Sequence, residues 1–415
     1  MTELERQGAA AKEAAYTLST AGTLRKNRVL EAIACALEEE QAQWLKANAE
    51  DLAAARAEGM RPSLLDRLAL TPQRIAGIVD GVRQVAALPD PIGQIDHMKT
   101  RPNGLVIGKK RVPLGVVGII YEARPNVTVD AAALCLKSGN ACILRGGKEA
   151  IRSNQAVERI MRRALEKAGL PRESISLVQD VSRETAHELM HLDKFLDVLI
   201  PRGGAGLIRT VAKTASVPVI RTGEGVCHIY IDQEADLDMG AQILHNAKCS
   251  RPSVCNAAEC VVVHQTVAEE FWKRALLLLD QDQVELRCDR EALKILGERG
   301  ILAEESDWDA EYGDYTLAVR TVKDIEEAVQ FVNTHSTGHS ETIVTGSYSA
   351  AQYFLNAVDA AAVYVNASTR FTDGGEFGLG AEIGISTQKI HARGPMGLEE
   401  LTSYKYIIYG QGQTR

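Results

Sequence analysis

The spacing of apolar positions in residues 1–90 is typical of helices. Leu30, Ile33, Ala34 and Leu37 follow the i, i+3, i+4, i+7 pattern that places side chains on one face of an amphipathic helix. The segment is rich in Ala, Leu, Glu and Arg, and it contains no group of residues suited to chemistry. It is therefore predicted to form several helices that pack on another part of the chain.

From Val116 onward, short apolar runs alternate with stretches of helical spacing. The predicted strands are 116–120, 141–144, 175–178, 198–200, 218–220 and 227–231, and the predicted helices are 129–137, 152–168, 184–191 and 204–213. Repeated β-α-β units predict a parallel sheet covered by helices on both faces, which is the usual setting of a nucleotide site.

A second alternation follows residue 235. The predicted strands are 259–263, 315–319, 342–345 and 361–365, and the predicted helices are 241–248, 267–280, 322–333 and 350–357. Asn103-Gly104, flanked by runs 97–100 and 105–111, predicts a tight hairpin. The apolar tail 404–409 is expected to pair with its own sheet or with another subunit.

These patterns predict an α/β protein with two α/β domains. The expected nucleotide-binding domain is 1–235, with a hairpin near 97–112 that contributes to oligomerisation, and the expected second domain is 236–366. Residues 367–415 are expected to form a return segment and an oligomerisation tail. A chain of 415 residues exceeds what one hydrophobic core usually holds, which agrees with this division.

Charge and cysteine content exclude several classes of protein. A net charge of −8 and a pI near 5.7 argue against a nucleic-acid or anionic-membrane surface. No apolar run reaches the ~18 residues of a membrane-spanning helix, and the acidic N-terminus lacks the features of a secretory signal. Eight scattered cysteines are expected to be reduced thiols, so the expected compartment is the cytoplasm.

Cys255 is the candidate nucleophile. It lies in a loop after a predicted helix and just before an apolar strand, and Lys248 and Arg251 are near enough in sequence to stabilise a thiolate. A cysteine attacks carbonyl groups readily, and its thioester stays reactive. A buried structural thiol is the alternative. A metal set drawn from His245, Cys249, Cys255, Cys260 and His264 lacks the spacings typical of zinc sites.

Two glycine pairs follow predicted strands. Gly146 and Gly147 lie in LRGGKE at 144–149, and Gly203 and Gly204 lie in PRGGAG at 201–206. Glycines at a strand-to-helix junction let a phosphate approach backbone N–H groups at the start of a helix. Ordinary tight turns also use glycine pairs, so the argument rests on finding two of them in successive units.

Longer strings resemble a known superfamily. PLGVVGII at 113–120, SGNACILR at 138–145, EYG at 311–313 and GLGAEIG at 378–384 resemble the aldehyde dehydrogenase superfamily. YEARPNVT at 121–128, RPSVCN at 251–256 and YVNASTRFTDGG at 364–375 are similar to one branch of it, the gamma-glutamyl phosphate reductase family. The resemblance covers nearly the whole chain. It implies an aldehyde dehydrogenase-like fold and the reduction of L-glutamyl 5-phosphate to glutamate 5-semialdehyde and phosphate in proline synthesis.

The resemblance also implies roles for individual residues. Cys255 would form a thioester, and Asn126 is the nearest candidate for an oxyanion donor, with a structural turn asparagine as the alternative. Arg145, Gly146, Gly147, Lys148, Gly203, Gly204 and Glu311 would contact the coenzyme. A cation at Lys148, where NAD-dependent relatives often have a carboxylate, favours NADPH, unless Lys148 is merely a solvated surface residue. Lys248, Arg251 and Arg370 are candidates for holding the leaving phosphate, and no metal is implied.

An oxidising, hydrolytic aldehyde dehydrogenase is the second interpretation. The position of the superfamily's water-activating glutamate is occupied by Arg221, which cannot accept a proton from water, although Glu224 lies three residues away. A non-catalytic binding protein is the third interpretation. A homo-oligomer is expected by analogy with the superfamily. The sequence leaves open whether the protein associates with glutamate 5-kinase, which makes the labile substrate.

Overall fold

The computed structural model describes the backbone of residues 1–415 and all side chains except those of residues 62, 63 and 205. The helices are α1 Glu3–Ser19, α2 Thr23–Glu39, α3 Gln41–Ala57, α4 Pro62–Leu68, α5 Pro72–Ala87, α6 Pro125–Lys137, α7 Ile151–Lys167, α8 Arg183–Met190, α9 Ala205–Thr214, α10 Leu237–Cys249, α11 Ala268–Leu279, α12 Arg290–Leu296, α13 Ile325–His335 and α14 Tyr348–Ala357. The strands are β1 Ile95–Thr100, β2 Val106–Pro113, β3 Val116–Tyr121, β4 Ala141–Arg145, β5 Ile175–Leu177, β6 Val198–Arg202, β7 Cys227–Ile231, β8 Ala258–His264, β9 Glu285–Cys288, β10 Gly300–Leu302, β11 Thr316–Val322, β12 Ser340–Val344, β13 Ala362–Val365, β14 Ile385–Ser386, β15 Gly394–Pro395 and β16 Thr402–Tyr409.

The chain forms two compact units. Unit 1 comprises Met1–Thr222, Gly378–Gly384 and Met396–Arg415, and unit 2 comprises Gly223–Phe377 and Ile385–Pro395. Unit 2 thus begins before residue 236, because β7 is hydrogen-bonded to β8 and β12 and so belongs to the second sheet. The segment 367–415, predicted to form a return segment and an oligomerisation tail, is divided between both units.

The helices α1–α5 of unit 1 confirm the prediction for residues 1–90. The apolar stripe predicted on α2 is buried, and it packs against α5 and α7. The side chains of Leu30, Ile33, Ala34 and Leu37 are at most 1% exposed, which agrees with a core-facing stripe.

The nucleotide-type sheet of unit 1 has four parallel strands in the order β5-β4-β3-β6. Every residue of β3 is buried, as expected of a strand covered on both faces. The turns after β3, β4 and β6 all leave the carboxyl edge, where ligands bind in open α/β sheets. The strand predicted at 218–220 is wrong, since only an isolated bridge between Val219 and Leu199 forms there.

A second sheet in unit 1 has the order β1-β2-β16. The hairpin predicted around Asn103-Gly104 joins β1 to β2, and Gly104 has the positive φ of 85° that such a turn requires. The C-terminal tail pairs antiparallel with β2 from Thr402 to Tyr409. The tail therefore completes a sheet of its own unit.

Unit 2 contains a seven-stranded parallel sheet in the order β10-β9-β11-β8-β7-β12-β13. The four strands predicted after residue 235 are all present, but β9 and β10 and the helix α12 were not predicted. One apolar core packs α10 and α11 against this sheet through Leu244, Phe271 and Trp272. Among the described residues, no helix combines the length and the apolar character that crossing a bilayer requires.

Candidate active site

Cys255 lies in the loop of unit 2 that joins α10 to β8, and its side chain is partly buried. Its carbonyl oxygen accepts a hydrogen bond from the buried Cys227 Sγ at 3.3 Å. A Cβ atom on Gly225 would lie 1.5 Å from the same oxygen, so only glycine permits this close backbone approach. The backbone of the loop is thus held in place at Cys255 itself, as a nucleophile requires.

Asn256 and Arg370 fasten this loop to a second segment of unit 2. The Asn256 amide donates to the carbonyl oxygens of Arg370 and Thr372 at 3.2 and 3.0 Å, and its own oxygen accepts from Arg370 Nη1. Arg370 Nε donates to Ser250 Oγ at 3.2 Å. Sequence analysis named Arg370 but not its partners, although Asn256 directly follows Cys255 and belongs to the same motif.

Two arginines give the neighbourhood of Cys255 a positive potential. Burial lowers the pKa of the Arg370 guanidinium, Arg251 lowers it further, and Cys255 acts in the opposite direction. Arg251 is exposed on the Cys255 loop itself. Of the three cations predicted to hold the phosphate, these two therefore lie in the electrostatic surroundings of the thiol.

Lys248, the third predicted cation, has a structural role instead. Its side chain is completely buried, and its ammonium group forms a 2.5 Å ion pair with Glu259. Burial raises the pKa of Glu259 to about 7, against the opposing effect of Lys248. A buried ion pair of this kind is costly to break, so Lys248 is not available to hold a phosphate.

Two other polar residues of unit 2, Glu311 and His228, also have defined hydrogen-bond partners. Glu311 Oε1 accepts the Gly225 N–H at 3.3 Å, which fixes the glycine that contacts Cys255. His228 is buried in β7, with Nδ1 3.1 Å from Glu341 Oε2. Because the His228 side chain is fully buried within the sheet, we assign it a structural role.

The glycine turns predicted to bind the coenzyme follow β4 and β6 of unit 1. A Cβ on Gly146 would lie 2.2 Å from Asn154 Nδ2, and one on Gly203 would lie 2.5 Å from Glu122 Oε2. Gly204 is the N-cap of α9, with no side chain to cap the helix. The turn after β6 therefore presents exposed glycine backbone at the carboxyl edge of the sheet, as a phosphate site requires, whereas Gly146 and Gly147 in the turn after β4 are buried.

Two carboxylates that sequence analysis missed lie at these turns. Glu122 Oε2 accepts the Gly204 N–H at 2.9 Å, and Glu149 Oε1 accepts the Ala123 N–H at 2.5 Å. A Cβ on Gly147 would lie 2.1 Å from Glu149 Oε1. The sequence contains only positional signals for them: Glu122 directly follows the end of β3, and Glu149 lies two residues after Gly147. In this state the carboxylates satisfy backbone donors that a phosphate could also use.

The two predicted basic residues of the first turn differ in their surroundings. Arg145 is partly buried, and its Nη2 donates to the carbonyl oxygens of Val181 and Ser182 at 2.6 and 3.1 Å. Arg145 thus fixes the next loop of the sheet edge. Lys148 is 68% exposed and forms a 2.9 Å ion pair with Glu58. Solvent screens an exposed pair of this kind, so Lys148 stays available to a ligand.

Asn126 lies in the first turn of α6 in unit 1. Its Nδ2 donates to Asp130 Oδ2 at 2.9 Å. Burial raises the pKa of Asp130 to about 6, although Asn126 and Arg202 act against the rise. The side chain has a local structural contact, and its role as an oxyanion donor stays a prediction.

The chain matches the model of the aldehyde dehydrogenase family over residues 2–291 and 316–407. It therefore belongs to the aldehyde dehydrogenase family and is an oxidoreductase of that family. Within the family, its full-length relatives are gamma-glutamyl phosphate reductases. The protein of that name from Enterococcus faecalis is 57% identical over 100% of this chain and 99% of its own length. The one from Clostridium beijerinckii is 55% identical over 100% of both.

Solved structures agree with this assignment. The crystal structure of gamma-glutamyl phosphate reductase from Thermotoga maritima has a TM-score of 0.97 and 45% identity, with complete coverage of both chains. An acetylating aldehyde dehydrogenase from Geobacillus thermoglucosidasius has a TM-score of 0.71 at 18% identity, covering 100% of this chain and 97% of its own. The second likeness concerns the fold alone, and it confirms the predicted aldehyde dehydrogenase-like architecture.

Proposed function

We propose that the protein reduces L-glutamyl 5-phosphate to L-glutamate 5-semialdehyde and phosphate with NADPH, the second step of proline synthesis from glutamate. The observation that carries this proposal is full-length identity of 55–57% to proteins named gamma-glutamyl phosphate reductase. The fixed loop around Cys255 supports it, because this loop supplies the nucleophile that such a reaction needs.

Cys255 begins the reaction as a thiolate. Its sulfur attacks the 5-carbonyl carbon of the acyl phosphate, and the developing oxyanion is held by backbone and side-chain donors that include the Cys255 N–H. Arg251 and Arg370 supply positive charge near the sulfur, and such charge stabilises a thiolate. Asn256 keeps the loop in place while the thioester exists, through its bonds to the carbonyl oxygens of Arg370 and Thr372.

Arg251 and Arg370 also assist departure of the phosphate. A guanidinium group binds phosphate oxygens through paired N–H donors, and this interaction strengthens as the leaving group gains charge. Arg251 is exposed and able to reach a ligand. Arg370 is anchored by Asn256 and Ser250, so it provides a fixed charge while Arg251 adapts to the substrate.

The residues of unit 1 fit a dinucleotide. Gly146 and Gly147 permit the tight turn after β4, where a Cβ would collide with Asn154 or Glu149, and the exposed Gly204 presents the N-terminus of α9 to an anion. Lys148 would bind the 2′-phosphate in exchange for its exposed pair with Glu58. When bound, the coenzyme supplies the hydride that converts the thioester to the aldehyde level. Contact between Glu311 and the nicotinamide ribose stays a prediction from the family resemblance.

The proposed reaction needs no water-activating base. The position of that base in hydrolytic relatives is occupied by Arg221, which is exposed and cationic. A cation cannot take a proton from water, so the thioester is consumed by reduction rather than by hydrolysis. The oxidising alternative with Glu224 as base predicts acid formation from an aldehyde without phosphate, and the same assay distinguishes the two.

The test follows phosphate-dependent NADPH formation from glutamate 5-semialdehyde. Cys255→Ala is expected to lower kcat by more than about a thousandfold, because the covalent step is lost. Cys35→Ala is the matched control, since Cys35 is an exposed thiol on α2 of unit 1 and should keep full activity. Native activity in Cys255→Ala would refute the nucleophile, and turnover without phosphate would favour the oxidising enzyme.

We also propose a cytoplasmic compartment and a homo-oligomeric state. All eight cysteines are free thiols, as expected in a reducing compartment. Association with glutamate 5-kinase would protect a labile acyl phosphate from hydrolysis. Co-sedimentation of the two purified proteins tests this association, and independent sedimentation at micromolar concentrations would argue against a stable complex.

A further inference from the structure

Three side chains of types that bind metal ions lie close together in unit 2, and Cys255 is not among them. His245 Nε2, Cys249 Sγ and a carboxylate oxygen of Asp282 all lie within 4.8 Å of one another. His245 and Cys249 are four residues apart on α10, so their side chains share one face of the helix. Asp282 reaches them from the turn that follows α11.

We propose that His245, Cys249 and Asp282 bind a single thiophilic divalent cation of the zinc class. Imidazole, thiolate and carboxylate are the three ligand types of protein zinc sites, whereas magnesium and calcium prefer sites made of oxygen alone. Three protein ligands leave a fourth tetrahedral position for water.

The elements that carry the ligands are fixed by the core. Leu244 and Ala247 on α10 are fully buried in the same apolar cluster as Phe271 and Trp272 on α11. Both helices are therefore held against one sheet, and the three side chains need little backbone movement to converge. His245 and Asp282 are each about one-third exposed, which gives an ion and its water access to the site.

Asp282 differs from its neighbour Asp280 in its pairing. Asp280 forms a 2.6 Å ion pair with Arg299, which neutralises its charge. Among the described side chains, no lysine or arginine pairs with Asp282, and its ion-pair partner is His245 at 2.7 Å. A carboxylate whose partners are an imidazole and a thiol can exchange their protons for a metal ion.

The present distance between His245 Nε2 and the Asp282 oxygen is that of a hydrogen bond. In a tetrahedral site with ligand bonds of about 2.0–2.3 Å, neighbouring ligand atoms lie roughly 3.3–3.6 Å apart. Binding would therefore separate His245 Nε2 from the Asp282 oxygen, which are now at 2.7 Å, and would draw Cys249 Sγ inward. As the metal–ligand bonds form, the thiol proton of Cys249 would leave to water, and the metal would replace the Nε2 proton of His245 while the neutral ring keeps a proton at Nδ1.

A metal ion bound at this site would restrain the C-terminal end of α10. Cys249 is the last residue of that helix, and the loop that carries Cys255 begins at the next residue. Ser250 in that loop accepts a hydrogen bond from Arg370. A bound ion would therefore hold the residue from which the Cys255 loop starts.

The test is a titration of the full-length protein with Co²⁺ and then with Zn²⁺. One equivalent of Co²⁺ is expected to give a thiolate-to-cobalt charge-transfer band and intense visible bands typical of tetrahedral coordination, and Zn²⁺ should displace it. The measurements are made on the Cys255→Ser protein, so that the reactive thiol contributes nothing. Cys35→Ser in the same background is the control and should bind like its parent.

Ligand variants decide the assignment. Cys249→Ser should abolish the charge-transfer band, and His245→Gln and Asp282→Asn should each weaken binding by more than the roughly 10–100-fold that loss of an outer-sphere partner costs. Asp282→Asn is nearly isosteric at a partly exposed position, so it should fold normally. Absence of one-equivalent binding would overturn the proposal, as would a charge-transfer band that persists in a folded Cys249→Ser protein.

Discussion

At the scale of single residues, Lys148 has the property required of a coenzyme selector. Its exposed pair with Glu58 is weak, whereas a charge-assisted bond to a phosphate contributes about 1.5–3 kcal/mol. Lys148→Ala is expected to raise the KM for NADPH roughly tenfold and to leave the KM for NADH within about twofold. Lys273→Ala, which removes an exposed and similarly paired lysine of unit 2, should change neither value. An equal effect on both coenzymes would assign Lys148 a role other than phosphate recognition.

His228 and Glu341 give the fold a predictable response to alkaline pH. Burial opposes the charged imidazole, but the adjacent Glu341 carboxylate and the Cys260 thiol together outweigh it and raise the pKa of His228 from the ordinary 6.5 to about 10. Because the folded state binds this proton more tightly, the pair stabilises the protein fully below pH 6.5. That contribution is lost as the pH rises through about 10, at up to about 1.4 kcal/mol per pH unit.

Glu341→Gln tests this response. The neutral amide removes the charge that holds the proton, so the melting temperature of the variant should fall less steeply between pH 7 and 10 than that of the native protein. Glu270→Gln changes an exposed carboxylate of α11 and serves as the control, with a native slope. Parallel curves for the native protein and Glu341→Gln would mean that His228 is neutral in the folded state.

At the scale of secondary-structure elements, the close backbone approach of Gly225 to Cys255 positions the Cys255 loop. An alanine there would place its Cβ 1.5 Å from the Cys255 carbonyl oxygen, and this backbone atom cannot rotate away. Gly225→Ala is expected to lower kcat by about a hundredfold, since a displacement near 1 Å is enough for such a loss. In Gly375→Ala the nearest atom is a side-chain oxygen of Asp373 at 3.1 Å, so this control should keep most activity. Equal activity of the two variants would show that the loop tolerates displacement.

Local sequence pattern was sufficient for most strands and helices but not for their assignment to sheets. β3, residues 141–144 of β4 and residues 260–263 of β8 are continuous apolar runs, and their burial follows from that. β9 was missed because only alternate residues of Glu285–Cys288 are buried, and four residues are too few to show that period. β7 was assigned to the wrong sheet because pairing with β8 and β12 is a long-range property that no local pattern contains.

The same limit applies to the candidate sites. Cys255 and the glycine turns could be found because their chemistry is visible in short strings. The burial of Lys248 against Glu259 could not, since it depends on how α10 packs beside β8. The group formed by His245, Cys249 and Asp282 was missed for a related reason. His245 and Cys249 were noticed together, but Asp282 lies 33 residues beyond Cys249, and only the packing of α11 on α10 brings it near.

At the scale of the whole molecule, the sheet β1-β2-β16 presents the strongest signal of self-association. β16 is an edge strand in this order, so one row of its backbone donors and acceptors has no strand beside it among the described residues. Every residue of β1 is exposed, including Ile95 and Met98. On β16, Tyr406 is 70% exposed and Ile408 is 59% exposed, and both lie on one face because alternate residues share a face. A soluble monomer rarely leaves such a surface uncovered.

The double variant Tyr406→Ser/Ile408→Ser is therefore expected to dissociate the proposed homo-oligomer without unfolding unit 1. Neither side chain contributes much to the core, so the melting temperature at low concentration should stay within a few degrees of the native value. Leu277→Ser removes a side chain that is 72% exposed on α11 of unit 2 and should leave the assembly intact. Light scattering coupled to gel filtration measures the mass of all three proteins. If the double variant keeps the native mass, then the subunits associate through another surface, and the exposed face of β16 requires a different partner.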